Sequence, residues 1–396
     1  MLDLLSPAQQ DPILSLSLAY RDDPREHKMD LGIGVYRDSQ GQTPIMHAVK
    51  AAQQSLAQSQ QTKAYVGLAG NENFNQAMVD LLLKGTDAYH RCAAVQTPGA
   101  SGALRMLADL MNLAKPVTTV WLTDPSYVNH KPVMEAAGLT VKFYPYFNRD
   151  TKMVDTDAML NALSQAGADD VVLLHGCCHN PTGADISLKE WEAITELANR
   201  NGFTPFVDIA YQGFGDGVEE DARGLRILAD NVEEMLIATS CSKSFGLYRE
   251  RTGAAIVVGK SAQEAQNAKG RILQLARSTY TMPPDHGAAI VETILTDDAL
   301  TKQWRDEIEA MNTRINTLRE GLTAALRDRT GDGYFDFIQH HRGMFSVLGL
   351  TVDQVNQLRD RHGVYAVGDS RINIAGLAER HIDRLADALV DVTRNG

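Results

Sequence analysis

Between about residues 95 and 260 the chain repeats one pattern: a short apolar run, then a stretch with helical periodicity, then another short apolar run. The runs are Thr119-Val120-Trp121-Leu122, Val171-Val172-Leu173-Leu174, Pro205-Phe206-Val207 and Met235-Leu236-Ile237-Ala238-Thr239. Runs this short, apolar throughout and bounded by turns, predict strands buried on both faces. Their spacing leaves room for crossover helices, so the pattern implies a largely parallel sheet. One crossover helix is predicted over 188–200, where Trp191, Ile194 and Leu197 recur on one face and Asn201-Gly202 supplies a stop signal. Ligands of such sheets bind beyond the carboxyl ends of the strands. Residues that follow the apolar runs are therefore where chemistry is expected.

A chain of 396 residues is too long for one small core and reads as two domains, or as one large α/β domain with an appendage. Leu300, Trp304, Ile308, Met311, Ile315, Leu318 and Leu322 recur at steps of three and four. They predict a long amphipathic helix over 297–328, able to link two domains. Alternating segments follow around Phe337, Phe345-Ser346-Val347 and Val364-Tyr365, with an amphipathic tail from His381; they fit a smaller α+β domain. A formal net charge of −12 argues against attraction to nucleic acid or anionic lipid and requires local arginines for any anionic substrate. No apolar run is long enough for a membrane span, and the N-terminus lacks a signal pattern. Four irregularly spaced cysteines, Cys92, Cys177, Cys178 and Cys241, fit a reducing compartment, so a cytoplasmic protein is expected.

Lys243 lies just past the apolar run that ends at Thr239. An amine partly desolvated there loses basicity, and a neutral amine can attack a carbonyl to form a Schiff base. Asp208 follows Pro205-Phe206-Val207, where a carboxylate can cap a helix or hold a pyridine nitrogen protonated, making it an electron sink. Tyr211, three residues on, either packs or donates its hydroxyl to a ligand oxygen. Thr97-Pro98-Gly99-Ala100-Ser101-Gly102 precedes a helical pattern; it reads as plain capping or as a cradle in which backbone amides and a hydroxyl meet a phosphate. The segment His175-Gly176-Cys177-Cys178-His179 has metal-ligand residue types at spacings too tight for structural zinc, so no metal is expected. The Asn180-Pro181-Thr182-Gly183 turn that follows leaves Asn180 as a rigidly placed amide.

Three of these segments together carry a resemblance. Asn180-Pro181-Thr182-Gly183, Asp208-x-Ala210-Tyr211-Gln212-Gly213-Phe214 and Ser240-x-Ser242-Lys243-x-Phe245-Gly246-Leu247-Tyr248-x-Glu250-Arg251 resemble the aspartate and aromatic aminotransferase family of fold-type I pyridoxal phosphate enzymes. The match runs from Asp11-Pro12-Ile13-Leu14 and Leu31-Gly32-Ile33-Gly34-Val35-Tyr36 to Arg371-Ile372-Asn373-Ile374-Ala375-Gly376. The resemblance implies an α/β fold: a large domain, 42–308, built on a mostly parallel seven-stranded sheet flanked by helices. An N-terminal arm, 1–41, contributes with residues 309–396 to a small α+β domain formed by both chain ends.

It also implies roles. Lys243 would hold pyridoxal 5′-phosphate covalently and then act as the proton-transferring base, while Asp208 would pair with the ring nitrogen. Asn180 and Tyr211 would bond the phenolate oxygen, Tyr127 would stack on the ring and Ala210 would pack beneath it. Ala100, Ser101, Ser240 and Arg251 would hold the phosphate, with Tyr65 of the partner subunit, making a homodimer the working unit. His130 would support Asp208 from behind. Arg371 would clamp the substrate α-carboxylate, Arg277 would read a side-chain carboxylate across the interface, and Gly34 would leave room in a lid.

Two departures bear on the substrate. Tyr127 stands where the family usually has tryptophan, and Met282 where aspartate-specific members commonly carry asparagine beside the distal arginine. Both lean toward aromatic side chains, as do segments similar to bacterial aromatic aminotransferases. The expectation is an aromatic amino acid aminotransferase using 2-oxoglutarate and accepting aspartate as well, with ping-pong kinetics. The alternatives are a strict aspartate aminotransferase and, from another class, a non-catalytic regulator that kept the fold.

Overall fold

The computed structural model describes residues 1–7 and 12–394; Asp11 of the N-terminal motif lies outside them. The four apolar runs form β2 (Thr119–Asp124), β4 (Asp170–His175), β5 (Thr204–Ile209) and β6 (Met235–Ser240) of a seven-stranded sheet, completed by β1 (Cys92–Pro98), β3 (Thr140–Pro145) and β7 (Thr252–Val258). The order across the sheet is β1-β7-β6-β5-β4-β2-β3. All neighbours are parallel except β7, which runs antiparallel to β1 and β6 with Gly253 opposite Thr97 and Ser240.

Successive residues of the strands enter opposite layers. Val171, Leu173, Phe206 and Ala238 join one apolar cluster, whereas Val172, Leu174, Val207 and Ile237 join the other. That two-sided burial is why the runs show no polar alternation. On the first face lie α1 (Gly99–Ala114) and α3 (Ala262–Thr279); on the second, α2 (Leu188–Asn201). The helix α2 starts at a capping box of Ser187 and Glu190 and stops where Gly202 takes a left-handed turn at φ +82°.

The long helix α4 runs Asp298–Thr330. The Asp297 carboxylate accepts from the Leu300 N–H at 2.9 Å to cap its start, and Gly331 at φ +71° ends it. Trp304, Ile308, Ile315, Leu318 and Leu322 are buried along one side, as their spacing requires. Beyond α4, Phe345–Val347 pairs antiparallel with Arg371–Asn373, and α5 (Ile382–Arg394) closes the chain. Phe337 departs from the expected extended segment: it opens a short helix, Phe337–His340, because its ring is drawn into a cluster with Phe335 and His341. Near the other end of the chain, Met29–Asp30 pairs in parallel with Val364–Tyr365. Among the described residues no helix is long and apolar enough to cross a membrane.

Candidate active site

Three strands deliver their carboxyl ends to one cavity of about 240 Å³: β4 at His175, β5 at Asp208 and β6 at Ser240. Of the residues singled out from the sequence, Gly34, Ala100, Ser101, Tyr127, Asn180, Asp208, Ala210, Tyr211, Ser240, Lys243 and Arg251 line it. This convergence follows from the parallel strands, whose ends all face one edge of the sheet.

Lys243 sits in the turn after β6, half-buried, with its Nζ 4.8 Å from the centre of the Tyr211 ring. Burial pushes its amine down to about 8, the Asp208 charge pulls it back up, and the Arg251 charge lowers it further. The result is an amine with a neutral population close to physiological pH.

Asp208 is buried. Burial opposes its charge, but the His130 hydrogen bond, with the neighbouring imidazoles and the Lys243 amine, holds the carboxyl below the ordinary value. Its Oδ2 accepts from His130 Nε2 at 2.8 Å, while Oδ1 is buried with no hydrogen-bond partner among the described residues. His130 Nδ1 in turn meets the Ser126 hydroxyl at 2.9 Å. With Nε2–H donating to Asp208, Nδ1 is left to accept from Ser126, so the imidazole is oriented from both sides. An unsatisfied buried carboxylate oxygen is expensive. On a residue that lines this cavity, it fits a ligand that brings an N–H donor.

Where α1 begins, at Gly99, the helix starts earlier than the sequence pattern suggests, so Gly99, Ala100 and Ser101 form its first turn. The N–H groups of a first turn have no acceptor within the helix and attract anions. A Cβ on Gly99 would come within 2.5 Å of Arg251 Nη2; glycine lets the guanidinium lie directly against the helix start. Arg251 Nη1 also donates to Ser242 Oγ at 3.2 Å, and Ser240 Oγ accepts from the Ser242 N–H at 3.1 Å. Amides, hydroxyls and one cation thus meet at one end of the cavity, a donor set that fits a phosphate.

Arg371 does not itself line the cavity; it is buried behind the lining residue Asn180. It donates to Asn180 Oδ1 at 3.3 Å and to the Gly32 carbonyl at 2.9 Å, and its guanidinium lies 4.3 Å from the Phe345 ring centre. Its Nε has no partner among the described residues. Asn180 Nδ2 donates to the Tyr211 hydroxyl at 3.4 Å, and burial holds that phenol well above its ordinary pKa.

Tyr65 and Arg277 do not line the cavity. Both are on the surface, Tyr65 at 89% exposure. The Val66 N–H lies 3.3 Å from Met282 Sδ, joining the two segments that carry them.

Sequence reasoning left His175, Ser242 and Tyr248 without site roles, yet all three line the cavity. Ser242 could have been read from its position beside the lysine in Ser240-x-Ser242-Lys243. Tyr248 carried no such signal. Its hydroxyl accepts from the Tyr36 N–H at 3.1 Å, tying the glycine-containing segment around Gly34 to the site. His175 is pushed down to about 3, by burial first and then by His130, so it is a neutral ring that accepts from the Asn180 N–H at 3.3 Å.

Among the described residues, Cys177, Cys178 and Asp221 are near enough to share an ion. The Asp221 oxygens already accept from the N–H groups of Gly213, Gly215 and Asp216. The Cys178 hydrogen bond lowers the Cys177 thiol, but burial and nearby carboxylates raise it to about 12, and burial raises Cys178 as well. Protonated thiols are poor metal ligands.

Residues 26–389 match the family model described as aminotransferase class I and II. The chain is 46% identical to an aromatic-amino-acid aminotransferase of Paracoccus denitrificans, over 99% of this chain and 100% of that protein. It is 42% identical to an aspartate aminotransferase of Escherichia coli, again over 99% and 100%. A solved structure of an aromatic-amino-acid aminotransferase from Burkholderia pseudomallei, described as covalently bound to pyridoxal phosphate, superposes with a TM-score of 0.97 at 36% identity, covering 99% of both chains. The chain belongs to the aminotransferase class I and II family.

Proposed function

We propose that this transaminase moves the amino group of phenylalanine, tyrosine or tryptophan to 2-oxoglutarate, with aspartate as a further donor, using pyridoxal 5′-phosphate. One observation carries the reading: a lysine amine held near 8 shares a cavity with a buried carboxylate that keeps one oxygen without a hydrogen-bond partner among the described residues. Lys243 is the anchoring residue. Asp208 would take the ring N–H on Oδ1, Asn180 and Tyr211 the phenolate oxygen, and Ala100, Ser101, Ser240 and Arg251 the phosphate, with Tyr65 of the partner subunit. Tyr127 would stack on the ring, with Ala210 beneath it. When bound, the cofactor supplies the electron sink that stabilises negative charge at Cα.

The residues of the chain do the remainder. Arg371 clamps the α-carboxylate with a planar fork that lysine lacks, orienting the Cα proton toward Lys243. The neutral Nζ takes that proton as general base and holds it for return. His130 fixes Asp208 and keeps it ionised. Gly34, near Arg371 on the segment tied down by Tyr248, leaves room for the substrate. Arg277 of the partner subunit meets the distal carboxylate of 2-oxoglutarate or aspartate. The homodimer, the cytoplasmic setting and the division into 1–41, 42–308 and 309–396 belong to this same reading. The helix α4, which spans the boundary at 308, supports the division.

The 46% relative favours the aromatic donor, and Met282 beside Val66 fits it, since a thioether gives Arg277 no charge-assisted support. A strict aspartate aminotransferase is the second reading, favoured by the 42% relative. A non-catalytic regulator has no use for a near-neutral amine. Lys243→Ala tests the core of the proposal: phenylalanine-dependent glutamate formation should vanish while the protein stays folded, and retained turnover would refute it.

A further inference from the structure

Arg319 is one of the largest fully buried side chains, at 1% exposure on α4. Its Nη1 donates to the Ile338 carbonyl at 3.1 Å and to Ser346 Oγ at 2.7 Å. Its Nη2 donates to the carbonyls of Gly343 and Phe345 at 2.7 Å and of Arg342 at 3.4 Å. All five acceptors are carbonyl or hydroxyl oxygens, none a carboxylate. Burial pushes the guanidinium down to about 9. A buried cation bonded to dipoles, with its Nε left without a hydrogen-bond partner among the described residues, is a demanding arrangement, and four of its five acceptors belong to one short segment, 342–346.

That segment packs around Arg371, which bonds the cavity-lining Asn180. The Phe345 ring lies against the Arg371 guanidinium, stands edge-on to Tyr211 with ring centres 6.0 Å apart, and would meet a Cβ on Gly34 at 3.0 Å. The strand it starts pairs with the strand of Arg371, Val347 opposite Arg371. The Arg342 N–H donates to the Gly183 carbonyl at 2.7 Å, stitching the segment to the turn that bears Asn180. His341 Nδ1 reaches Ser346 Oγ at 3.0 Å, so the hydroxyl that Arg319 grips is fixed from a second side. A planar fork can bond diverging carbonyls that an ammonium could not span together.

We propose that Arg319 is a positioning residue for carboxylate recognition: by pinning the backbone of 342–346 it sets the Phe345 ring and thereby the Arg371 guanidinium. This rests on Arg371 being the carboxylate clamp. It predicts that loss of Arg319 weakens binding of the substrate carboxylate and leaves the phosphate and ring-nitrogen contacts intact.

The test compares wild type, Arg319→Met, Ser346→Ala and Arg371→Met by calorimetry. The holoenzymes are titrated with 3-phenylpropionate, and the cofactor-free proteins with pyridoxal 5′-phosphate. Expected are a Kd for 3-phenylpropionate raised tenfold or more in Arg319→Met and about threefold in Ser346→Ala, with the Kd for pyridoxal 5′-phosphate within twofold of wild type. If Arg319→Met does not fold, Ser346→Ala decides by the same split. Parallel loss of both ligands would show a merely structural role and overturn the proposal, as would wild-type binding of 3-phenylpropionate by the folded variants. If Arg371→Met binds 3-phenylpropionate like wild type, the clamp reading itself has failed; if only Arg371→Met is impaired, the clamp stands and the role of Arg319 falls.

Discussion

Replacing Lys243 by methionine should stabilise the cofactor-free protein. Methionine keeps an unbranched chain of similar size and removes a charge that burial disfavours. An amine displaced from an ordinary 10.5 to about 8 corresponds to about 3 kcal/mol, at 1.36 kcal/mol per unit of pKa. Because the side chain is partly open to the cavity, solvent screening trims this to roughly 2–3 kcal/mol.

The sign follows from linkage. Below pH 8 the amine is protonated in both folded and unfolded chains, and the destabilisation is present in full. Between about 8 and 10.5 only the unfolded chain holds the proton, so wild-type stability rises with pH relative to the variant. Urea unfolding of the two cofactor-free proteins at pH 7 and pH 10 reads the difference by linear extrapolation. The variant should be more stable by about 2–3 kcal/mol at pH 7, and by under about 1 kcal/mol at pH 10. A gap equal at both pH values, or a wild type more stable at pH 7, would refute the claim that burial depresses this amine.

Other outcomes follow from the same geometry. Asp208→Asn removes a charge facing the cavity; opposite charges at ~4 Å in an effective dielectric near 20 attract by about 4 kcal/mol. Steady-state kcat/KM for phenylalanine should therefore fall about a thousandfold, and a fall under tenfold would contradict the ring-nitrogen role. Met282→Asn should shift the aspartate-to-phenylalanine ratio of kcat/KM toward aspartate by about tenfold, the scale of one hydrogen bond to a charged group; an unchanged ratio would remove Met282 from the specificity argument. Gly183→Ala places a Cβ 2.2 Å from the Phe345 carbonyl oxygen at a backbone φ of +75°. It should lower stability by about 2–4 kcal/mol in urea unfolding, and a neutral result would mean that the 342–347 segment yields easily.

The strands legible in the sequence are those with continuous Val, Leu, Ile and Phe. The strands β1, with Cys92-Ala93-Ala94-Val95, and β7, with Thr252-Gly253-Ala254-Ala255, were not, since small residues pack against helices without an apolar signature. The reversed direction of β7 had no trace either, because burial on both faces looks alike in either direction. Within the site, Lys243, Asp208 and Asn180 were readable because each follows a strand or sits in a marked turn. Tyr248 was not, as its partner Tyr36 meets it only through a tertiary contact; His175 stood out only as one of several metal-type residues in a tight segment. Arg319 was hidden for a related reason: it lies beside Leu318 on the buried side of α4, where periodicity marks apolar residues and passes over a charge. Tyr65 and Arg277 came only from the family resemblance. One chain leaves both on its surface.

Mixing the pyridoxal phosphate-loaded enzyme with a single amino acid in stopped flow, and following cofactor absorbance through one half-reaction, reads the choice of donor and the identity of the base together. Phenylalanine and tyrosine should react as fast as aspartate or faster, and Lys243→Ala should give no reaction with any of them. Aromatic rates far below the aspartate rate would contradict the assignment of substrate, and a normal half-reaction in Lys243→Ala would contradict the assignment of the base.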